Sequence, residues 1–96
     1  MKLTEKKRIV VKVGTSTLTH DTGKTNIARM AKLVSVLADL KNAGHQVVLV
    51  SSGAVGIGAG KLGMRERPDH TSGLQACAAV GQCELMFLYD KLFSEY

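Results

Sequence analysis

Aromatic residues are scarce in this chain: two tyrosines, two phenylalanines and no tryptophan among 96 residues. That leaves little to build the stacking platforms on which single-stranded nucleic acids are held. A formal net charge of +5 does not reverse this. Lys2, Lys6, Lys7 and Arg8 crowd the first eight residues, and the remaining positive charge is scattered. No nucleic-acid partner is expected for this segment. Long apolar runs are missing too. Ile9-Val10-Val11 is cut at Lys12, short of a signal-peptide core, and nothing approaches the length of a membrane span. The expectation is a cytoplasmic protein with no membrane partner. The only cysteines are Cys77 and Cys83. Six residues apart on an expected helix, they point about 120° away from each other. With no CxxC and no Cys/His cluster, they are expected as reduced packing residues, and no protein metal ligand is expected.

What is present is an ordered alternation of short patterns. Residues 8–13, Arg-Ile-Val-Val-Lys-Val, are rich in β-branched side chains and end at Gly14, as a strand ends in a turn. Residues 15–25 are polar, with Asp21-Thr22-Gly23 as turn chemistry, and read as a loop. From Asn26 to about Asn42, Ile27, Met30, Val34, Leu37 and Leu40 keep helical spacing; Asn26 suits the N-cap and Gly44 the stop. Residues 46–50, Gln-Val-Val-Leu-Val, read as a second strand, buried on both faces. A small-residue helix is expected through about Met64, and the one proline, Pro68, separates it from a long last helix. Ser72 to Gln75 spells a capping box for that helix. Its stripe is read as Leu74, Ala78, Gly81, Leu85, Leu88 and Leu92, with Met86, Phe87, Tyr89 and Phe93 implying cover on more than one side. Strand, helix, strand in this order is a parallel βαβ unit. Two strands make a poor sheet, so the architecture is expected to be part of a larger one.

Parallel strands bring their carboxyl ends to one edge, where open α/β sheets bind ligands. Both strands here run into small, hydroxyl- and glycine-rich turns, Gly14-Thr15-Ser16-Thr17 and Ser51-Ser52-Gly53-Ala54. Glycine lets the backbone come close to a ligand and adopt positive φ, and the second turn opens a helix whose free N–H groups favour an anion. Two such turns face to face could hold a phosphoryl group. Gly14, Thr15 and Ser16 on the first turn and Ser52, Gly53 and Ala54 on the second are the candidate site residues. Lys12, two residues before Gly14, shares its strand face and supplies a cation; the plainer alternative is a lysine reaching solvent from an edge strand. Serines in turns have their own ordinary role as caps, most evenly balanced at Ser16 and Ser51.

Other signals are weaker. Gly58-Ala59-Gly60-Lys61-Leu62-Gly63 matches GxGxxG but falls after the second strand, so close helix–sheet packing is expected there, not a dinucleotide. No Walker A, HRD or DFG sequence occurs. His20, His45 and His70 read as solvated loop histidines, Arg65-Glu66-Arg67 as a solvated loop, and Asp69 and Asp90 offer no acid–base pair.

Val11-Lys12-Val13-Gly14-Thr15-Ser16, Val50-Ser51-Ser52-Gly53-Ala54-Val55, the Ala-Ala-Val-Gly-Gln stretch at 78–82 and Leu92-Phe93-Ser94 together resemble the amino terminus of the glutamate 5-kinase family. A Lys-x-Gly opening alone would be shared across the amino-acid-kinase superfamily. Aspartokinases and acetylglutamate kinases usually have two glycines where this chain has Gly14-Thr15. The resemblance implies a partial amino-acid-kinase fold, an incomplete three-layer α/β/α sandwich. It also implies ATP-dependent phosphorylation of the γ-carboxylate of L-glutamate, at the entry to proline synthesis, with Mg2+ accompanying ATP. In that family the lysine matching Lys12 contacts nucleotide phosphate and the serine matching Ser52 helps bind glutamate, which implies Gly14, Thr15 and Ser16 on the nucleotide-phosphate side and Ser52, Gly53 and Ala54 on the substrate side. The glycines matching Gly14 and Gly53 line the phosphoryl path. A homo-oligomer is implied for the full-length enzyme. Residues 1–96 then stand for the amino-terminal part of the domain. The family's other glutamate-binding residues, an aspartate and an asparagine, fall beyond Tyr96, as do the adenine site, a second catalytic lysine and an RNA-binding-like carboxyl-terminal domain. No kinase activity is expected of these residues alone. The competing expectations are a kinase of the superfamily with another acceptor, a non-catalytic remnant, and an NAD-binding module built on Gly58–Gly63.

Overall fold

Strand β1 is Arg8–Val13, in a computed structural model that describes residues 5–64, 66 and 68–96. Helix α1, Thr15–Leu18, is a single turn, and the loop after it is closed by an antiparallel bridge between Thr19 and Thr25. Helix α2 is Ile27–Asn42, and the Asn26 side chain accepts from the N–H of Arg29 at 3.1 Å, satisfying one of its opening donors. Gly44, at φ 102°, turns the chain into β2, Gln46–Ser51. Helices α3, Ala54–Lys61, and α4, Thr71–Phe93, follow. The strands pair in parallel from Arg8 opposite Gln46 to Val13 opposite Ser51, giving the expected βαβ unit.

Alternation along the strands divides the sheet into two unlike faces. Val11, Val13 and Leu49 join a core with Leu18, Met30, Val34, Ile57, Leu85 and Tyr89. Each buried aliphatic side chain there contributes about 1.5–3 kcal/mol. Val10, Lys12, Val48 and Val50 lie on the other face and are exposed. The reading of β2 as buried on both faces is therefore corrected: one face is covered. Among the described residues the α/β architecture has two layers of the expected three.

Helices α3 and α4 cross at very close range. A β-carbon on Gly81 would lie 1.6 Å from the Ala54 carbonyl oxygen, and one on Gly58 would lie 1.8 Å from that of Cys77. Gly60 meets the Gly23 carbonyl of the loop in the same way, at 2.1 Å. Gly58 and Gly60 of the GxGxxG match thus allow helix–helix and helix–loop approach, where helix–sheet packing was expected, while a β-carbon on Gly63, at φ 76°, would meet nothing within 4 Å. Helix α4 buries Gly73, Cys77, Gly81, Leu85 and Tyr89, a stripe stepping by four that is turned from the leucine-weighted one read in the sequence. Leu74, Ala78, Leu88 and Leu92 flank it, half-buried, while Met86 and Phe87 are exposed. The capping box is also corrected. His70 occupies the N-cap without a side-chain bond, and Ser72 falls inside the first turn.

Two further expectations change. Cys77 is buried as expected, with its Sγ 3.6 Å from Met64 Sδ, but Cys83 is exposed. His20 and His70 are exposed, whereas His45 is buried and its Nδ1 accepts from the Lys7 N–H at 3.0 Å. This bond ties the start of β1 to the residue before β2. The Lys6 ammonium donates to the Ala43 carbonyl beside it, at the C-terminus of α2. His45→Leu keeps an apolar bulk and leaves the Lys7 N–H without its acceptor. Urea unfolding is expected to read a loss of about 1–2 kcal/mol. Lys2, Arg65 and Arg67, named above for the basic cluster and the solvated loop, lie outside the described residues.

Candidate active site

The register brings the two turns together. Val13 opposes Ser51, so Gly14 and Ser52 leave the sheet side by side. The Val13 carbonyl accepts two hydrogen bonds from Ser52, one from its N–H and one from its Oγ, each 3.0 Å long. Gly53 then adopts φ 103°, ψ 6° and forms the N-cap of α3. A side chain there would be strained by the left-handed backbone. It would also be crowded, because a β-carbon would lie 3.1 Å from Thr15 Cα. At Gly56 the neighbour is Thr15 Cγ2, 2.9 Å from a β-carbon position. The first turn rests on the second.

Where they meet is an open cleft of about 620 Å³ lined by Thr15 and residues 51–56. No side chain caps α3, so its opening N–H groups, those of Ala54, Val55 and Gly56, remain donors for a ligand. Of the residues singled out from the sequence, Thr15, Ser51, Ser52, Gly53 and Ala54 line this cleft. Lys12, Gly14 and Ser16 do not. Gly14 is the N-cap of α1 at φ −89°, ψ 169°, an extended conformation open to any residue, and a β-carbon on it would meet nothing within 4 Å. The positive φ expected of the turns therefore belongs to Gly53 alone. Thr15 and Ser16 open a one-turn helix, not the loop read for them.

Lys12 is exposed on the uncovered face of the sheet, so the burial cost argued for it from the sequence does not arise here. Among the described residues it has no ion-pair partner. It stands two strand residues, roughly 6.6 Å, before Gly14, on a flexible four-carbon stem. Ser51, evenly balanced as a site residue from sequence, has a structural partner: its Oγ lies 3.1 Å from the Tyr89 hydroxyl. Sequence reasoning missed Val55 and Gly56 as lining residues, although their place in the first turn of α3 was the available signal. It missed the contact between Ser51 and Tyr89 altogether.

No carboxylate lines the cleft. Among the described residues no group of three or more His, Cys, Asp and Glu side chains could hold a metal. No helix of the described residues is long and apolar enough to cross a membrane.

Parallel strands whose carboxyl ends carry converging, N–H-rich turns make an edge of an α/β protein suited to an anion. The amino acid kinase family model matches residues 7–96, and the chain belongs to that family. Its curated relatives sharpen the placement. It is 58% identical over 94 residues to glutamate 5-kinase of Moorella thermoacetica, covering 98% of this chain and 25% of that protein. It is 55% identical to glutamate 5-kinase of Clostridium perfringens, covering 98% and 35%. The same-named protein of Listeria welshimeri is 52% identical, at 98% and 34%. The chain thus spans about a quarter to a third of the length of these relatives.

Proposed function

We propose that residues 1–96 form the amino-terminal, phosphoryl-handling edge of a glutamate 5-kinase. In this reading a complete protein transfers the γ-phosphoryl group of ATP to the γ-carboxylate of L-glutamate, yielding glutamyl 5-phosphate and ADP, the first step of proline biosynthesis. The observation that carries it is the contact of Gly53 and Gly56 with Thr15, which faces one amide-rich turn with the other across a single cleft. The names of the relatives support the choice of acceptor.

Phosphoryl transfer depends on position and charge stabilisation more than on covalent chemistry by the protein. A carboxylate oxygen of the acceptor attacks the γ-phosphorus in line as the bond to the ADP oxygen breaks. The N–H groups of Thr15 and Ser16 from one side, and those of Ala54, Val55 and Gly56 from the other, suit the phosphoryl oxygens. Lys12 swings its ammonium toward Gly14 and offsets the charge that grows there. Ser52 Oγ has its hydrogen committed to Val13 and retains lone pairs. It is suited to accept from the ammonium of an amino-acid substrate. ATP brings its own magnesium, held by the phosphates. A cytoplasmic homo-oligomer is the form in which this enzyme is expected.

A full-length protein carrying this amino terminus tests the reading when assayed with ATP and a panel of acceptors: L-glutamate, L-aspartate, N-acetylglutamate and carbamate. Turnover with L-glutamate far above the others is expected. Preference for another acceptor would assign a different reaction within the family. The 96 residues alone contribute turns only and are expected to show no glutamate-dependent turnover.

A further inference from the structure

Ser51 ends β2, and its side chain falls on the covered face of the sheet with Val47 and Leu49. There its Oγ meets the Tyr89 hydroxyl at 3.1 Å. Tyr89 is 6% exposed, and its cluster partners Val13, Leu18, Met30, Val34, Ile57 and Leu85 are apolar. Its ring lies 6.2 Å from that of Phe93, tilted by 31°. A phenol in such surroundings needs a hydrogen-bond partner, and Ser51 is its partner among the described residues. Packing alone would be served by phenylalanine. The hydroxyl instead joins α4 to the residue before Ser52, while Ser52 is held to β1 through Val13. Two successive hydroxyls thus fasten one turn to two different elements.

We propose that Tyr89 is a positioning residue for the second turn: its hydroxyl, acting through Ser51, sets where Ser52 and the opening N–H groups of α3 stand relative to Thr15. The proposal rests on the phosphoryl-transfer reading of the cleft. Tyr89 does not line that cleft and acts only through Ser51.

The test uses the full-length protein with Tyr89→Phe, Ser51→Ala and the double substitution. Each single variant is expected to lower kcat/KM for the acceptor about threefold to tenfold, the size of one hydrogen bond. The double variant is expected to be no worse than the poorer single, because both remove the same link. Amide hydrogen exchange at Ser52 and Gly53 is expected to speed up in Tyr89→Phe. Losses that multiply in the double variant would overturn the proposal, as would unchanged kinetics in Tyr89→Phe. A general loss of stability would lower the thermal midpoint without a selective change at these two amides, and that result also counts against it. Should the parent protein phosphorylate no amino acid, the functional reading fails, and exchange at Ser52 and Gly53 still decides the role of Tyr89.

Discussion

Gly81→Ala is expected to undo the packing of α4 on α3, lowering stability by about 3 kcal/mol or more. The added carbon would sit 1.6 Å from the Ala54 oxygen, 2.5 Å from the Ala54 carbonyl carbon and 2.8 Å from the Gly58 nitrogen. All three are backbone atoms, so no side chain can swing aside. The helices would have to part by more than an ångström, opening voids between Ile57, Leu85 and Tyr89, which now close the core. Because Ala54 is also the first residue of α3, the same movement would carry the second turn away from Thr15. Gly14→Ala is the matched control. Its β-carbon meets nothing within 4 Å and its backbone is extended, so stability is expected to stay within about 0.5 kcal/mol. Thermal melts followed by circular dichroism read both. A stable Gly81→Ala variant would show that the crossing is not as close as described.

Lys12→Met is expected to have the largest effect on the proposed reaction with the least on the fold. Lys12 is exposed and has no ion-pair partner among the described residues, so its loss is expected to change stability by less than about 0.5 kcal/mol. Its proposed work is to meet charge that develops on the transferring phosphoryl group, and removing such a donor costs about 10²–10³-fold in kcat. Steady-state kinetics on a full-length protein would show the fall in kcat with an unaltered melting curve. A variant that keeps its kcat would place Lys12 among ordinary solvent-facing lysines of an edge strand, the plainer alternative raised by the sequence.

Features specified by neighbouring residues were legible before the structure. The β-branched run gives β1 its bounds, Arg8–Val13, and Asn26 caps α2 because an Asx side chain reaches N–H groups only a turn away. The parallel pairing follows from strand, helix and strand in order. In the candidate site, Ser52 and Gly53 were legible from turn chemistry, since a tight exit from a strand into a helix calls for a residue that tolerates positive φ.

Contacts across long stretches of chain were not legible. His45 is buried by a bond to Lys7, 38 residues away, and Tyr89 meets Ser51 across the same separation. Neither partner leaves a local mark. The apolar run of β2 indicates what could be buried, not whether a neighbour is there to bury it, and Val48 and Val50 are open. The face of α4 was misjudged for a related reason. Scanning for large apolar residues finds leucines, whereas a close helix crossing selects small ones, here Cys77 and Gly81. Helix α1, four residues long, is too short for periodicity to reveal.

The most direct test is a crystal structure of a full-length protein with this amino terminus, bound to ADP, Mg2+, L-glutamate and aluminium fluoride as a mimic of the group in flight. The expected result is a fluoride centre within hydrogen-bond reach of amides from both turns, at Thr15–Ser16 and Ala54–Gly56, with the Lys12 ammonium beside it. A centre held by one turn only, or one that leaves Lys12 in solvent, would contradict a shared phosphoryl site.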